Sequence, residues 1–351
     1  MTTSTIGKDE LKNEGAEPTF ISSSEDKSAP VDRNRVLATR FTYAFTLVVS
    51  ILFLVKSSDK AFLDECVRIC QNIPNVVQVT CGTELIFSPL FFMALGITYV
   101  LEKYIPAREG GGTFSRTAYL DSQWAVPKFL IFSSSWLLYI ALLRAFYNQY
   151  LGFLTIHAVD SWPEWAKLAV GFVWTDFLRY ISHYARHKIQ TFWTFHAVHH
   201  SQKNLNFFTE WRSHIFDDVL KYTIEAIPLF MLDQSFVQVL FLNRAMYWYS
   251  AIYHGNIRSN YGWLKHFLVT PQYHRLHHSI HPHHRDCNFG LVLTVWDRMF
   301  GTMYKNLDEF PGTGTEDEFF PYDEEESSKS YYSRTFFEQF FYPFKLPRIR
   351  S

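Results

Sequence analysis

Eight histidines between positions 183 and 278 stand in tight groups. His183 and His187 form H-Y-A-R-H, His196, His199 and His200 form H-A-V-H-H, and His274, His277 and His278 form H-R-L-H-H. On a helix, residues three and four apart share one face. Each triplet is therefore expected to aim three imidazoles at one point, and the pair two. Neutral imidazole is the commonest nitrogen ligand for transition metals. His254, in Y-H-G-N, is a plausible ninth. A structural zinc takes four ligands and a catalytic zinc three from protein. Eight or nine converging histidines exceed one ion, so a two-metal site is expected. Nitrogen ligation without Cys or a carboxylate-rich set points to iron and away from magnesium or calcium.

Other polar residues near these groups have smaller expected roles. Asp176, Glu210, Asp217 and Asp218 either orient imidazoles, since a ligating His usually gives its other N–H to an acceptor, or serve as helix caps and solvated charges. His214, in W-R-S-H, is expected to orient rather than ligate. Pro282 takes His281, His283 and His284 off the helical face of the last triplet, which makes them loop residues. His157 and His266 need no metal.

The elements that must position the histidines come in apolar blocks. Hydrophobic residues make up 48% of the 351, with 34 Phe, 20 Tyr and 10 Trp. They concentrate in Phe41–Val55, Thr83–Tyr104, Val126–Tyr147 and Trp165–Ile181, each close to the roughly 20 residues that cross a bilayer. The expected fold is all-α: an integral membrane helical bundle with a helical, histidine-rich metal cap facing the cytoplasm. Arg33, Arg35 and Arg40, then Lys103, Arg108 and Arg116, put those flanks on the cytoplasmic side. The 57–82 loop then lies outside, where Cys66, Cys70 and Cys81 could form a disulfide. Val219–Ser250, broken at Pro228 and Asp233-Gln234, reads as a hairpin that dips into the bilayer and returns. Its alternative is a buried hairpin of the catalytic domain.

Three regions are expected. Residues 1–35 are polar and read as a disordered tail, with no signal-peptide pattern at the start. Residues 36–305 form the membrane and histidine-box domain. Residues 306–351 are a polar and aromatic tail, and its Phe336–Phe344 segment either lies at an interface or packs back on the domain. A formal net charge of −1 argues against a nucleic-acid partner.

The order of the three boxes resembles that of the fatty acid hydroxylase and sterol desaturase superfamily of membrane histidine-box enzymes. So do the words F-H-A-V-H-H-S, L-N-F-F-T-E-W-R-S-H, T-P-Q-Y-H-R-L-H-H-S, N-F-G and W-D-R-M-F-G-T. The resemblance covers about residues 85–305 and implies a non-haem centre of two iron ions. It carries over His183, His187, His196, His199, His200, His274, His277 and His278 as ligands, with His254 beside them. Some relatives carry a second His where Ser250 stands here. The implied activity uses dioxygen and two electrons to hydroxylate or desaturate a lipid C–H bond, on a sterol or related lipid. Alkylglycerol-type ether lipid oxygenation and fatty acid hydroxylation are the alternatives.

An external electron donor, such as cytochrome b5 or a ferredoxin with its reductase, is implied, because 1–35 is too short for a fused cytochrome. The same resemblance places a eukaryotic protein of this kind in the endoplasmic reticulum. Trp193, Phe195, Phe207, Phe208 and Trp211 are candidates for a substrate channel or for plain packing. A reading of another class is a zinc-dependent membrane hydrolase. Against it, no box contains the glutamate base of H-E-x-x-H.

Overall fold

Helix ends in this chain are written in local residue chemistry, and the histidines sit at those ends. The computed structural model describes residues 89–345 except 233–235, 316, 318–319 and 323–328, together with positions 60, 61, 64, 67 and 68. The 1–35 tail, the block Phe41–Val55 and Cys66, Cys70 and Cys81 lie outside the described residues. In chain order the helices are α1 (Pro89–Tyr104), α2 (Arg116–Gln123), α3 (Ala125–Phe146), α4 (Glu164–Lys188), α5 (Gln190–His200), α6 (Ile215–Met231), α7 (Phe236–Tyr253), α8 (Pro271–His277), α9 (Val295–Phe300) and α10 (Lys329–Phe341). Among the described residues, β-pairing is confined to isolated bridges such as Ser279 with Thr313. The all-α expectation stands.

α4 starts with Glu164 and closes with Arg186, His187 and Lys188, signs that suit the helix dipole. α8 is capped by the Thr270 side chain and has Pro271 in its first turn, where the missing N–H costs nothing. Gly301, at φ 73°, ends α9 in a left-handed cap that a side chain would strain. α4 packs along α5 and α6, α3 on α6, and α7 on α1, α4 and α8.

An aromatic core joins Phe91 of α1, Trp124, Phe207, Trp211, Trp248 of α7 and Phe336 of α10. The Phe336 ring meets Trp124 edge-on at 4.9 Å. The C-terminal segment therefore packs back onto the domain.

The expected membrane bundle is corrected here. Among the described residues, no helix is long and apolar enough to cross a membrane. α1 carries an acidic residue within its apolar run. Its Glu102 is buried and accepts N–H groups from Thr113 and Asn256. α3 carries Lys128, which pairs with Asp218 at 3.0 Å, and Arg144, which lies over the Phe230 ring. α4 is long enough but carries Asp176, Arg179 and Arg186, all buried. The transmembrane, multi-pass placement in the endoplasmic reticulum, and with it the cytoplasm-facing cap, is therefore not supported by any described helix. Pro228 also lies inside α6 rather than at a membrane turn.

One buried ion pair organises the turn after α5. Asp121 and Arg212 meet at 2.9 Å with both side chains fully buried. Asp121 also accepts from Gln202 and Asn206, while Arg212 donates to the Val198 carbonyl and to Ser201. Removing one partner leaves an unpaired buried charge. Asp121→Ala should destabilise the fold by about 3–5 kcal/mol in denaturant unfolding, whereas a loss below about 0.5 kcal/mol, typical of surface sites, would contradict this role.

Candidate metal centre

The C-terminal ends of α4 and α5, the end of α7 and the whole of α8 converge, and all nine sequence-picked histidines meet there. They form two groups rather than one. His183, His187, His196, His200 and His277 make the first; His199, His254, His274 and His278 make the second. Within each group the ligand nitrogens lie within 4.8 Å of one another. The expectation that each triplet aims at one point is corrected. His196 and His200 face the first group while His199 faces the second; His274 and His278 face the second while His277 faces the first. At 3.6 residues per turn, i and i+4 lie about 40° apart, but i+3 and i+4 lie about 100° apart. Each triplet thus divides between two neighbouring centres, which touch where His200 stacks on His278 at 4.2 Å.

Several rings have their tautomer fixed by what surrounds them. Nδ1 of His183 donates to the Phe289 carbonyl, Nδ1 of His199 to Arg212, Nδ1 of His254 to Ser250 and Nδ1 of His277 to Cys287, at 2.8–3.2 Å. A carbonyl only accepts, so Nδ1 carries the hydrogen, and Nε2 of a neutral ring is left with a lone pair. Burial holds these rings neutral. It drives His183 and His199 well below the usual histidine range, helped by neighbouring imidazoles, and His277 down to about 3.

Lone pairs therefore face lone pairs. Nε2 of His199 and of His254 lie 3.2 Å apart with no hydrogen available between them. Nε2 of His274 lies 2.8 Å from that of His254 and 3.0 Å from that of His278. In the first group, Nε2 of His187, His196, His200 and His277 are buried without a hydrogen-bond partner. Buried unpaired acceptors are costly, and a shared cation satisfies them. Imidazole nitrogens without thiolate or carboxylate suit a transition metal. The clusters fit a non-haem di-iron centre.

The carboxylates divide. Asp217 takes His196 Nδ1 at 3.1 Å and Arg186 at 3.1 Å, and its carboxyl is held far below the usual range, the Arg186 charge and the His196 hydrogen bond outweighing the cost of burial. Glu210 reaches His254 Nδ1 at 3.3 Å and accepts from Ser250, the position where some relatives have His. Asp218 pairs with Lys128 instead. Asp176 holds the N–H groups of Val292 and Leu293 and the Trp296 indole, and burial pushes it up to about 6. His214 does not orient a ligand. It caps α6 through the Phe216 N–H and binds the Phe340 carbonyl of α10.

Of the channel candidates, Trp193 borders the first group, 5.0 Å from His187. Phe207, Phe208 and Trp211 belong to the aromatic core instead, and Phe195 packs against His214 and Phe216.

Residues that sequence reasoning missed are mostly backbone acceptors. The signal for one was present in N-F-G and W-D. Asp297 accepts the N–H groups of Phe289 and Gly290 and the hydroxyl of Tyr273, so it fixes the carbonyl that aims His183. A side chain at Gly290 would meet Asp297 Oδ2 at 2.9 Å, and this close approach requires glycine. Between the two groups lies a polar cavity of about 40 Å³, lined by Arg179, Arg186, Glu210, Asp217, Lys221 and Ser250 as well as histidines of both groups.

These rings make stability depend on pH. An unfolded chain protonates its imidazoles near 6.5, whereas folded His277 stays neutral down to about 3. Between those values the unfolded state binds more protons, so stability falls as pH falls. Asp176, raised to about 6, and Glu102 and Asp297, also raised by burial, work the other way, three carboxylates against nine imidazoles. The melting temperature of the metal-free chain should drop steadily from pH 7 to pH 5. A flat or rising profile would contradict the buried neutral imidazoles.

Comparison with known proteins agrees with this geometry. Residues 168–302 match the fatty acid hydroxylase family. An ornithine lipid hydroxylase, OlsE, of Rhizobium tropici is 30% identical over 145 residues, 41% of this chain and 44% of that protein. An alkylglycerol monooxygenase of Caenorhabditis elegans is 30% identical over 158 residues, 41% of this chain and 30% of that protein. The human alkylglycerol monooxygenase is 30% identical over 143 residues, 41% and 31% of the two chains. The chain thus spans less than half the length of these curated relatives, and no solved structure matches. The segment that matches the fatty acid hydroxylase family holds every histidine of both groups.

Proposed function

We propose that this chain is a dioxygen-dependent lipid hydroxylase in which His183, His187, His196, His200 and His277 hold one iron and His199, His254, His274 and His278 the other. The observation that carries this reading is the pair of buried all-imidazole groups whose lone pairs face one another. Bound there, iron supplies the activation of dioxygen that an unactivated C–H bond requires. The chain's own residues keep the rings neutral and aimed. Asp217 with Arg186 holds His196, and Glu210 with Ser250 holds His254, each through Nδ1, so that Nε2 stays free. Trp193 and Phe289 flank the first group with apolar surface.

The cavity favours the polar-lipid alternative over a sterol. Its volume holds roughly two or three waters, and its lining is charged. A charged wall suits reaction at a carbon beside a polar end rather than in mid-chain. The names of the relatives, an ornithine lipid hydroxylase and alkylglycerol monooxygenases, point the same way. In an ether lipid, the CH₂ next to the ether oxygen gains one oxygen atom from dioxygen, and the other leaves as water with two electrons and two protons. The hemiacetal then breaks its C–O bond to release an aldehyde and glycerol. Electrons come from an external carrier.

Iron-loaded protein with a chemical reductant should consume one dioxygen per long-chain aldehyde released from a 1-O-alkylglycerol. An ester-linked analogue hydroxylated on its acyl chain would favour the fatty acid variant of this reading. Cleavage without dioxygen consumption, with zinc in place of iron, would overturn it for the hydrolase.

A further inference from the structure

We propose a third metal site, at the surface and separate from the two buried groups, formed by His283, His284 and Glu309 and suited to one divalent transition-metal ion. Their ligand atoms lie within 4.8 Å of one another. The inference does not depend on the oxygenase reading, because none of these residues belongs to either buried group.

The three ligands are preset by their neighbours. The His284 side chain is 1% exposed, and its Nδ1 lies 2.8 Å from Ser279 Oγ. That hydroxyl oxygen already accepts the His281 N–H and has a second lone pair for a His284 Nδ1–H. With Nδ1–H turned to Ser279, Nε2, 2.9 Å from Glu309 Oε2, is free to bind a cation; without a cation, Nε2–H donates to that oxygen instead. Glu309 is fixed from its other oxygen, which accepts from Asn306 at 2.7 Å and from Tyr304 at 3.1 Å. Nε2 of His283 stands 3.9 Å from the same Oε2.

For metal bonds of 2.0–2.1 Å in a tetrahedron, neighbouring ligand atoms lie about 3.4 Å apart. The separations of 2.9 and 3.9 Å straddle that value, so closure takes only a small rotation of exposed His283. The His283 side chain is 61% exposed and Glu309 35%, which leaves room for water in the remaining positions. Two imidazoles and a carboxylate with open positions are a donor set for zinc or iron(II), not for calcium.

Such an ion would pin two separate stretches. His283 and His284 lie in the short turn Pro282–His284, while Glu309 follows α9. The thiol of Cys287 donates to the His284 carbonyl, and the Cys287 carbonyl accepts Nδ1 of His277. The site therefore stiffens the loop that aims one ligand of the first buried group.

The test is zinc uptake by the iron-loaded full chain, with zinc and iron both counted by elemental analysis. The parent should take up one zinc per chain without losing iron. Glu309→Gln, which keeps hydrogen bonds to its neighbours, should abolish that uptake, and His283→Ala at an exposed position should weaken it at least tenfold. Equal uptake by parent and both variants would overturn the proposal and leave His284 and Glu309 as a hydrogen-bonded pair. Zinc gained only as iron is lost would overturn it as well.

Discussion

A buried imidazole that has given its Nδ1 hydrogen to a carbonyl has only a lone pair to offer at Nε2. The structure repeats this constraint around two neighbouring points. The carbonyls of Arg212, of Ser250, and of Cys287 and Phe289 come from three different parts of the chain. Three of the four residues are held in turn: Phe289 by Asp297, Arg212 by Asp121, Cys287 by its contact with the turn at His284. The fold can be understood as the scaffold that keeps those acceptors in place. Without a cation, the 3.2 Å approach of His199 and His254 would set two buried acceptors against each other.

The histidine spacing carried most of the site. Box residues at i and i+4 on helix ends had to share a face, and they do. What spacing could not show is that the i+3 member belongs to a neighbouring centre, because that depends on how α5 and α8 approach each other. Asp217 and Glu210 were visible as candidates, and each touches a ring of one of the two groups. Asp176 and Asp218 were equally visible and hold structure instead, since the nearest partners of a carboxylate depend on packing that no local pattern encodes. The carbonyl acceptors carried no signal of their own.

Hydropathy misled over the fold for a related reason. The blocks at α1, α3 and α4 are rich in apolar residues, and averaging over them hides the polar groups. Glu102, Lys128, Asp176 and Arg179 are each buried against partners from distant segments. Such residues look tolerable in an apolar run until their partners are known. Much of the aromatic excess goes instead into a core that draws in α10, with Phe336 on Trp124 and Phe340 against His214. The apolar blocks located α1, α3 and α4, but not the surroundings of the helices.

The central claim is that nine histidines form two separate metal positions, and counting retained iron tests it most directly. The chain is loaded anaerobically and dialysed against a weak chelator that strips solvent-open sites. The parent should retain two irons per chain. His187→Ala, in the first group, and His254→Ala, in the second, should each retain the ion of the other group. One iron in the parent, or full retention of two in both variants, would contradict the account.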